Sequence, residues 1–198
     1  MTVATARRIS LEEYLTYDDG TDTRYELVDG VLVEMSLGTG QHSGIIRRLS
    51  KTFEREAEKV GLAWVAIPAL VGVETKVPGK KDFARIPDVT VLPESQWEII
   101  ESRSGSAVVR LDESAPILVA EVISPSTKTT DFGEKRSEYA DRGINEYWII
   151  NPAKKTVLVL SLVNGSYQEA TFTGEMAIAS LTFQVLNLTA VQVLNAGR

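Results

Sequence analysis

Two acidic side chains stand alone inside apolar runs. Glu121 interrupts Ile117-Leu118-Val119-Ala120-Glu121-Val122-Ile123, and Asp88 follows Pro87 at the head of Val89-Thr90-Val91-Leu92. A run apolar on both faces reads as a strand inside a covered sheet, where an ionised carboxylate is costly unless a cation, a hydrogen-bond donor or a proton meets it. A divalent metal ion is the sharpest answer. Magnesium takes hard oxygen ligands, commonly one or two carboxylates, a carbonyl and waters, and leaves room for a phosphate oxygen. Adjacent strands bringing Asp88 and Glu121 to one ion would polarise a water, neutralise charge on a pentacovalent phosphate and stabilise the leaving oxygen, while a lysine orients the nucleophile. Lys135 lies three residues after Phe132 and four before Tyr139, on or beside the inward face of a helix.

Each of these residues also has a plainer reading. Asp88 can be structural at a strand start beside Pro87, and Lys135 can be an exposed helix lysine paired with Asp131 at i,i+4. His42, the single histidine, falls on the Ile45, Ile46 and Leu49 side of a helix start, where a part-buried polar residue or a helix-end hydrogen bond is the expectation over a catalytic role. Lys76, Lys80, Lys81 and Arg85 crowd a Pro/Gly loop leading into the Asp88 strand. That loop is either solvated or a local basic cluster that recruits substrate phosphates through Lys80, Lys81 and Arg85.

The elements that must hold these groups are legible in order. Ser10 with Glu13 three residues on caps a short helix through Leu15. Asp29-Gly30 between residues 24–28 and 31–35 signals a hairpin. Helical spacing of Ile46, Leu49, Phe53, Ala57 and Val60 predicts a long helix over 41–60, stopped by Gly61. Strands follow at 62–67 and 70–75, split by Pro68, then at 86–92, with a short helix around Trp97, Ile99 and Ile100 inside the connection 93–114. After the Glu121 strand, Ser124 to Thr127 breaks pairing. A helix capped by Asp131 or Thr130 then runs to Gly143, and strand 146–150 returns to the sheet, a right-handed parallel crossover. Beyond Pro152 the chain turns β-rich: 156–163, the Asn164-Gly165 turn, 166–172, and an alternating Leu181, Phe183, Val185 strand that extends the sheet or forms an interface. Residues 1–9 read as a loose tail and 10–198 as a single domain mixing strands and helices.

Composition narrows the classes. With no cysteine among 198 residues, disulfides, thiolate zinc sites and cysteine nucleophiles are excluded. A formal charge of −6 argues against tight nonspecific nucleic-acid binding through a basic surface, though not against an enzyme acting on nucleic acid. No apolar stretch is long enough for a membrane span, so no membrane partner and a cytoplasmic location are expected.

Pro87-Asp88 followed by Glu121 thirty-three residues on resembles the PD-(D/E)XK restriction-endonuclease superfamily. Taken together, Tyr25-Glu26-Leu27-Val28-Asp29-Gly30, Pro87-Asp88-Val89, Glu121 to Thr127, Asp131 through Lys135 to Tyr139, and Glu146-Tyr147-Trp148 are similar to the Uma-two family of restriction-endonuclease-like proteins, from about Ile9 to Leu188. The resemblance implies an α/β (α+β) fold with a mixed central sheet flanked by helices and a β-rich C-terminal extension, Mg²⁺ (or Mn²⁺) held by Asp88, Glu121 and the Ile123 carbonyl, and hydrolysis of nucleic acid, DNA being favoured. It departs from the superfamily pattern at Ile123, where a lysine is usual; the resemblance implies that Lys135 supplies it from the helix. Glu26 enters as a further acid at the site, with an ion pair to Arg24 or Arg47 as its plainer alternative. Two functions from different classes follow: a Mg²⁺-dependent nuclease, or a catalytically degenerate fold serving as a binding or regulatory module. A homodimer is the expected assembly, by analogy with relatives of this fold.

Overall fold

The computed structural model describes residues 7–124 and 132–195. Local chemistry sets the early elements. Helix α1 (Leu11–Leu15) begins at a complete capping box, with Ser10 and Glu13 each accepting from the other's backbone N–H. Ile9, assigned from sequence to the tail, is buried and donates its N–H to Gly30 O at 2.8 Å. Strands β1 (Tyr25–Val28) and β2 (Val31–Glu34) are joined by Asp29 and Gly30, both at positive φ, as a tight primed turn requires. Helix α2 (Gly40–Lys59) is capped by Thr39 and buries Ile45, Leu49, Phe53 and Ala57. Next come β3 (Trp64–Pro68), β4 (Gly72–Thr75), β5 (Phe83–Arg85), β6 (Val89–Pro93), α3 (Glu94–Glu101), β7 (Val108–Val109) and β8 (Leu118–Val122). Helix α4 (Glu134–Asp141), β9 (Glu146–Asn151), β10 (Thr156–Val163), β11 (Ser166–Thr173) and α5 (Ala190–Leu194) complete the order. The expected cap at Asp131 or Thr130 lies outside the described residues.

Two mixed sheets result. The larger has six strands in the order β11-β10-β9-β8-β6-β3, and the smaller has five in the order β2-β1-β5-β4-β7. In the larger sheet β8 and β9 are parallel and joined through α4, while β6 lies antiparallel to β8 with Val89 opposite Ala120. Pro68 sits at the end of edge strand β3, where a missing donor breaks no ladder.

Side-chain alternation divides the faces of the larger sheet. Leu118, Ala120 and Val122, with Trp148 and Ile150, pack toward α2, whereas Val119, Tyr147 and Ile149 pack toward Tyr139 of α4. Glu121 shares the parity of Val119 and so faces α4.

Two expectations need correction. Arg85 is not in a cationic loop: it ends β5, a strand of only three residues that periodicity does not resolve, and is buried. Leu181, Phe183 and Val185 form no strand. Phe183 alone turns inward, stacking on Phe53 at 5.2 Å, while Leu181 and Val185 are 65% and 62% exposed. The segment is held as a loop by Glu146, whose Oε1 accepts from Ser180 Oγ at 2.7 Å and whose Oε2 accepts from Thr182 N at 2.9 Å.

Candidate active site

Asp88 precedes β6 just after Pro87, and the antiparallel β6–β8 pairing sets it beside the end of β8. Its Oδ2 accepts the Val122 N–H at 2.7 Å, so the acid of one strand is bonded to the backbone next to the acid of the other. His42 Nε2, from the first turn of α2, stands 3.2 Å from the same oxygen. The sequence favoured a part-buried polar residue or a helix-end hydrogen bond for this histidine, and its side chain is indeed part-buried. Its backbone N–H does bond the Thr39 cap, but its ring is turned to Asp88.

Glu121 is met from α4. Lys135 Nζ lies 2.8 Å from Glu121 Oε1 and 3.0 Å from Glu26 Oε1, and Tyr139 donates its hydroxyl to Glu121 Oε1 at 3.0 Å. Burial, with the Glu121 charge beside it, holds the Tyr139 phenol well above its usual range, so the hydroxyl remains a donor. Glu26 reaches this group from β1 of the smaller sheet. It pairs with neither Arg24 nor Arg47: Arg24 bonds the Ala69 carbonyl, while Glu26 receives Arg85 Nη1 at 3.3 Å and the Ile86 N–H at 3.0 Å. Burial pushes the Glu26 carboxyl up, but the neighbouring Lys135 and Arg85 charges and the Ile86 N–H outweigh it and hold the group below its usual range.

Arg85 is committed to carboxylates. It forks onto Glu138 through Nε at 2.8 Å and Nη2 at 2.6 Å, touches Glu134 at 3.3 Å, and lies over the Phe83 ring at 5.6 Å. Burial pulls its pKa down, yet the Glu138 hydrogen bonds and charge, with Glu26, raise it overall. Thr75 Oγ1 donates to Glu138 Oε2 at 2.9 Å. Glu138, missed in the sequence, is three residues after Lys135, and that i,i+3 spacing was the available signal. Lys80 and Lys81 stand instead at the β1–β2 turn. Lys80 Nζ is 3.5 Å from Asp29 Oδ2, and Lys81 bonds Asp29 Oδ1 through its N–H and Arg8 O through Nζ.

The site therefore gathers Asp88, Glu121, Glu26 and Glu138 against the two cations Lys135 and Arg85. Among the described residues no three His, Asp or Glu side chains converge to hold a metal ion by themselves. Hard divalent ions take carboxylates, main-chain carbonyls and waters, and the carboxylates gathered here outnumber the two cations.

Residues 11–191 match the family model Uma2, described as "Putative restriction endonuclease". The chain belongs to the Uma2 family. No curated protein matches it. A solved structure described as a putative nuclease belonging to DUF820, from Anabaena variabilis ATCC 29413, superposes with a TM-score of 0.70 at 20% identity, covering 94% of this chain and 97% of that one. At that identity the likeness concerns the fold, which this Uma2 chain shares along nearly its whole length. Among the described residues of the Uma2 chain, no helix is long and apolar enough to cross a membrane.

Proposed function

We propose that this protein is a Mg²⁺- or Mn²⁺-dependent nuclease that hydrolyses phosphodiester bonds of nucleic acid, with DNA the favoured substrate. The observation that carries the reading is the 2.8 Å contact between Lys135 of α4 and Glu121 of β8. It brings a lysine to the strand acid although Ile123 occupies the place where the superfamily usually carries one.

In this reading Asp88, Glu121 and the Ile123 carbonyl hold the ion. When bound, that ion supplies Lewis-acid polarisation of water and neutralises phosphate charge. Lys135 Nζ orients the attacking water and offsets charge on the phosphate. Water adds to phosphorus as it gives up a proton to solvent, the bond between phosphorus and the leaving oxygen breaks, and that oxygen departs after taking a proton from solvent. Glu26 fixes Lys135 from the side opposite Glu121, and Arg85 fixes Glu26 by holding it to Glu138 on α4. Tyr139 fixes the rotamer of Glu121. Arg85 thus acts within the protein rather than on substrate, while Lys80, with half of its side chain exposed beside Asp29, presents charge to a backbone phosphate.

The test is cleavage of supercoiled plasmid and of a structured RNA, with Mg²⁺, Mn²⁺ or chelator, by wild type, Glu121→Gln and Lys135→Ala. The expected outcome is metal-dependent turnover of DNA by the wild type that falls by at least about 100-fold in both variants. Undiminished turnover in Glu121→Gln would remove the assignment. Metal binding without cleavage of either polymer would leave a binding module in place of an enzyme.

A further inference from the structure

His42 is placed by three separate features of the chain. Thr39 Oγ1 accepts the His42 backbone N–H at 3.2 Å, which fixes the first turn of α2 under the imidazole. Gly38 passes so close beneath the ring that a Cβ there would overlap Nδ1 and lie 2.8 Å from Cγ, so only glycine admits the ring in this position. On the ring's far side, Nε2 meets Asp88 Oδ2 at 3.2 Å, with the histidine side chain 19% exposed. The neighbouring Leu37 is 95% exposed and gives the turn before α2 no buried apolar anchor.

We propose that His42 is a positioning residue for Asp88, an inference that rests on the metal-dependent reading of the site and adds a residue to it. The Val122 N–H and an N–H at His42 Nε2 both address Oδ2. Two donors converging on one carboxylate oxygen fix the plane of the group and leave Oδ1 as the oxygen offered to a cation. A side chain that orients a ligating carboxylate typically changes metal affinity by about 10- to 100-fold when removed, without itself touching the ion. A direct ligand role fits less well, because among the described residues His42, Asp88 and the neighbouring acids do not form a three-membered ligand group.

The experiment is Mn²⁺ binding to the full chain, read by calorimetry and by the loss of the free-ion signal in electron paramagnetic resonance, for wild type, His42→Ala, His42→Gln and Gly38→Ala. Thermal melts without metal accompany each variant. Glutamine places an N–H donor where Nε2 stands but does not replace imidazole as a ligand. The proposal expects His42→Ala to bind about 10- to 100-fold more weakly and His42→Gln to recover most of that loss. Gly38→Ala, which leaves His42 in the sequence but displaces its ring, should match His42→Ala. Wild-type affinity in His42→Ala would overturn the positioning role alone. Failure of His42→Gln to recover binding would overturn it in favour of direct ligation. Absence of binding by the wild type would overturn the metal reading and this inference with it.

Discussion

Lys135 bridges Glu26 and Glu121 at 3.0 and 2.8 Å with 6% of its side chain exposed. Removing one partner from such a buried group leaves the others uncompensated, so Lys135→Ala should lose about 3–5 kcal/mol in urea unfolding. A loss below about 1 kcal/mol, the range of exposed pairs, would mean that the lysine is not integrated as described. Glu26 makes the same network sensitive to acid. Its folded pKa lies below the usual 4.5, so the stabilisation it contributes is complete above that value and disappears as pH falls through the lowered one. The difference in unfolding free energy between wild type and Glu26→Gln should therefore be constant above about pH 5.5 and shrink on acidification below the usual carboxylate range. A difference that grows on acidification would contradict the sign. The acids Asp88 and Glu121 were legible because each interrupts an apolar run. The contacts of His42 with Gly38 and Asp88 were not, since they join a loop, a helix and a strand that no spacing rule relates.

At the scale of elements, α4 shows why the site was only partly visible. Its inward face carries Lys135, Glu138 and Tyr139, all buried, so two of its three core-facing positions are charged. Apolar periodicity registers Tyr139 and passes over Glu138, whose partner Arg85 arrives from β5, 53 residues earlier. Arg85 itself read as a loop cation because its strand is three residues long and follows a Pro/Gly stretch. The two hairpin turns, by contrast, were fully local. Asp29-Gly30 and Asn164-Gly165 sit at positive φ and set the β1–β2 and β10–β11 registers. The segment around Phe183 failed for the opposite reason: its alternation is real, but Glu146 captures the Ser180 hydroxyl and Thr182 N–H, and only Phe183 enters the core. Phe183→Ala removes a ring stacked on Phe53 and edge-on to Trp64 and should cost about 3–5 kcal/mol, whereas Leu181→Ala and Val185→Ala should each change stability by about 0.5 kcal/mol or less. Equal losses at all three positions would mean that the segment packs as a strand after all.

Across the whole molecule, the ion-pair network is what ties the smaller sheet to the larger one at the site. Glu26 and Arg85 come from the five-stranded sheet, Glu121 from the six-stranded sheet, and α4 supplies the groups between them. A net charge of −6 gives the molecule no general attraction for a polyanion, so the proposed substrate binding falls to a local cation-assisted site. In the proposed function Asp88 and Glu121 form one metal site. It is tested most directly by calorimetric titration of Mg²⁺ and Mn²⁺ into wild type, Asp88→Ala and Glu121→Ala. The expected result is a single saturable binding event in the wild type, lost in both variants while their far-ultraviolet spectra stay native. Binding that survives in either variant, or no binding in the wild type, would contradict it and leave the two acids as structural members of the sheet.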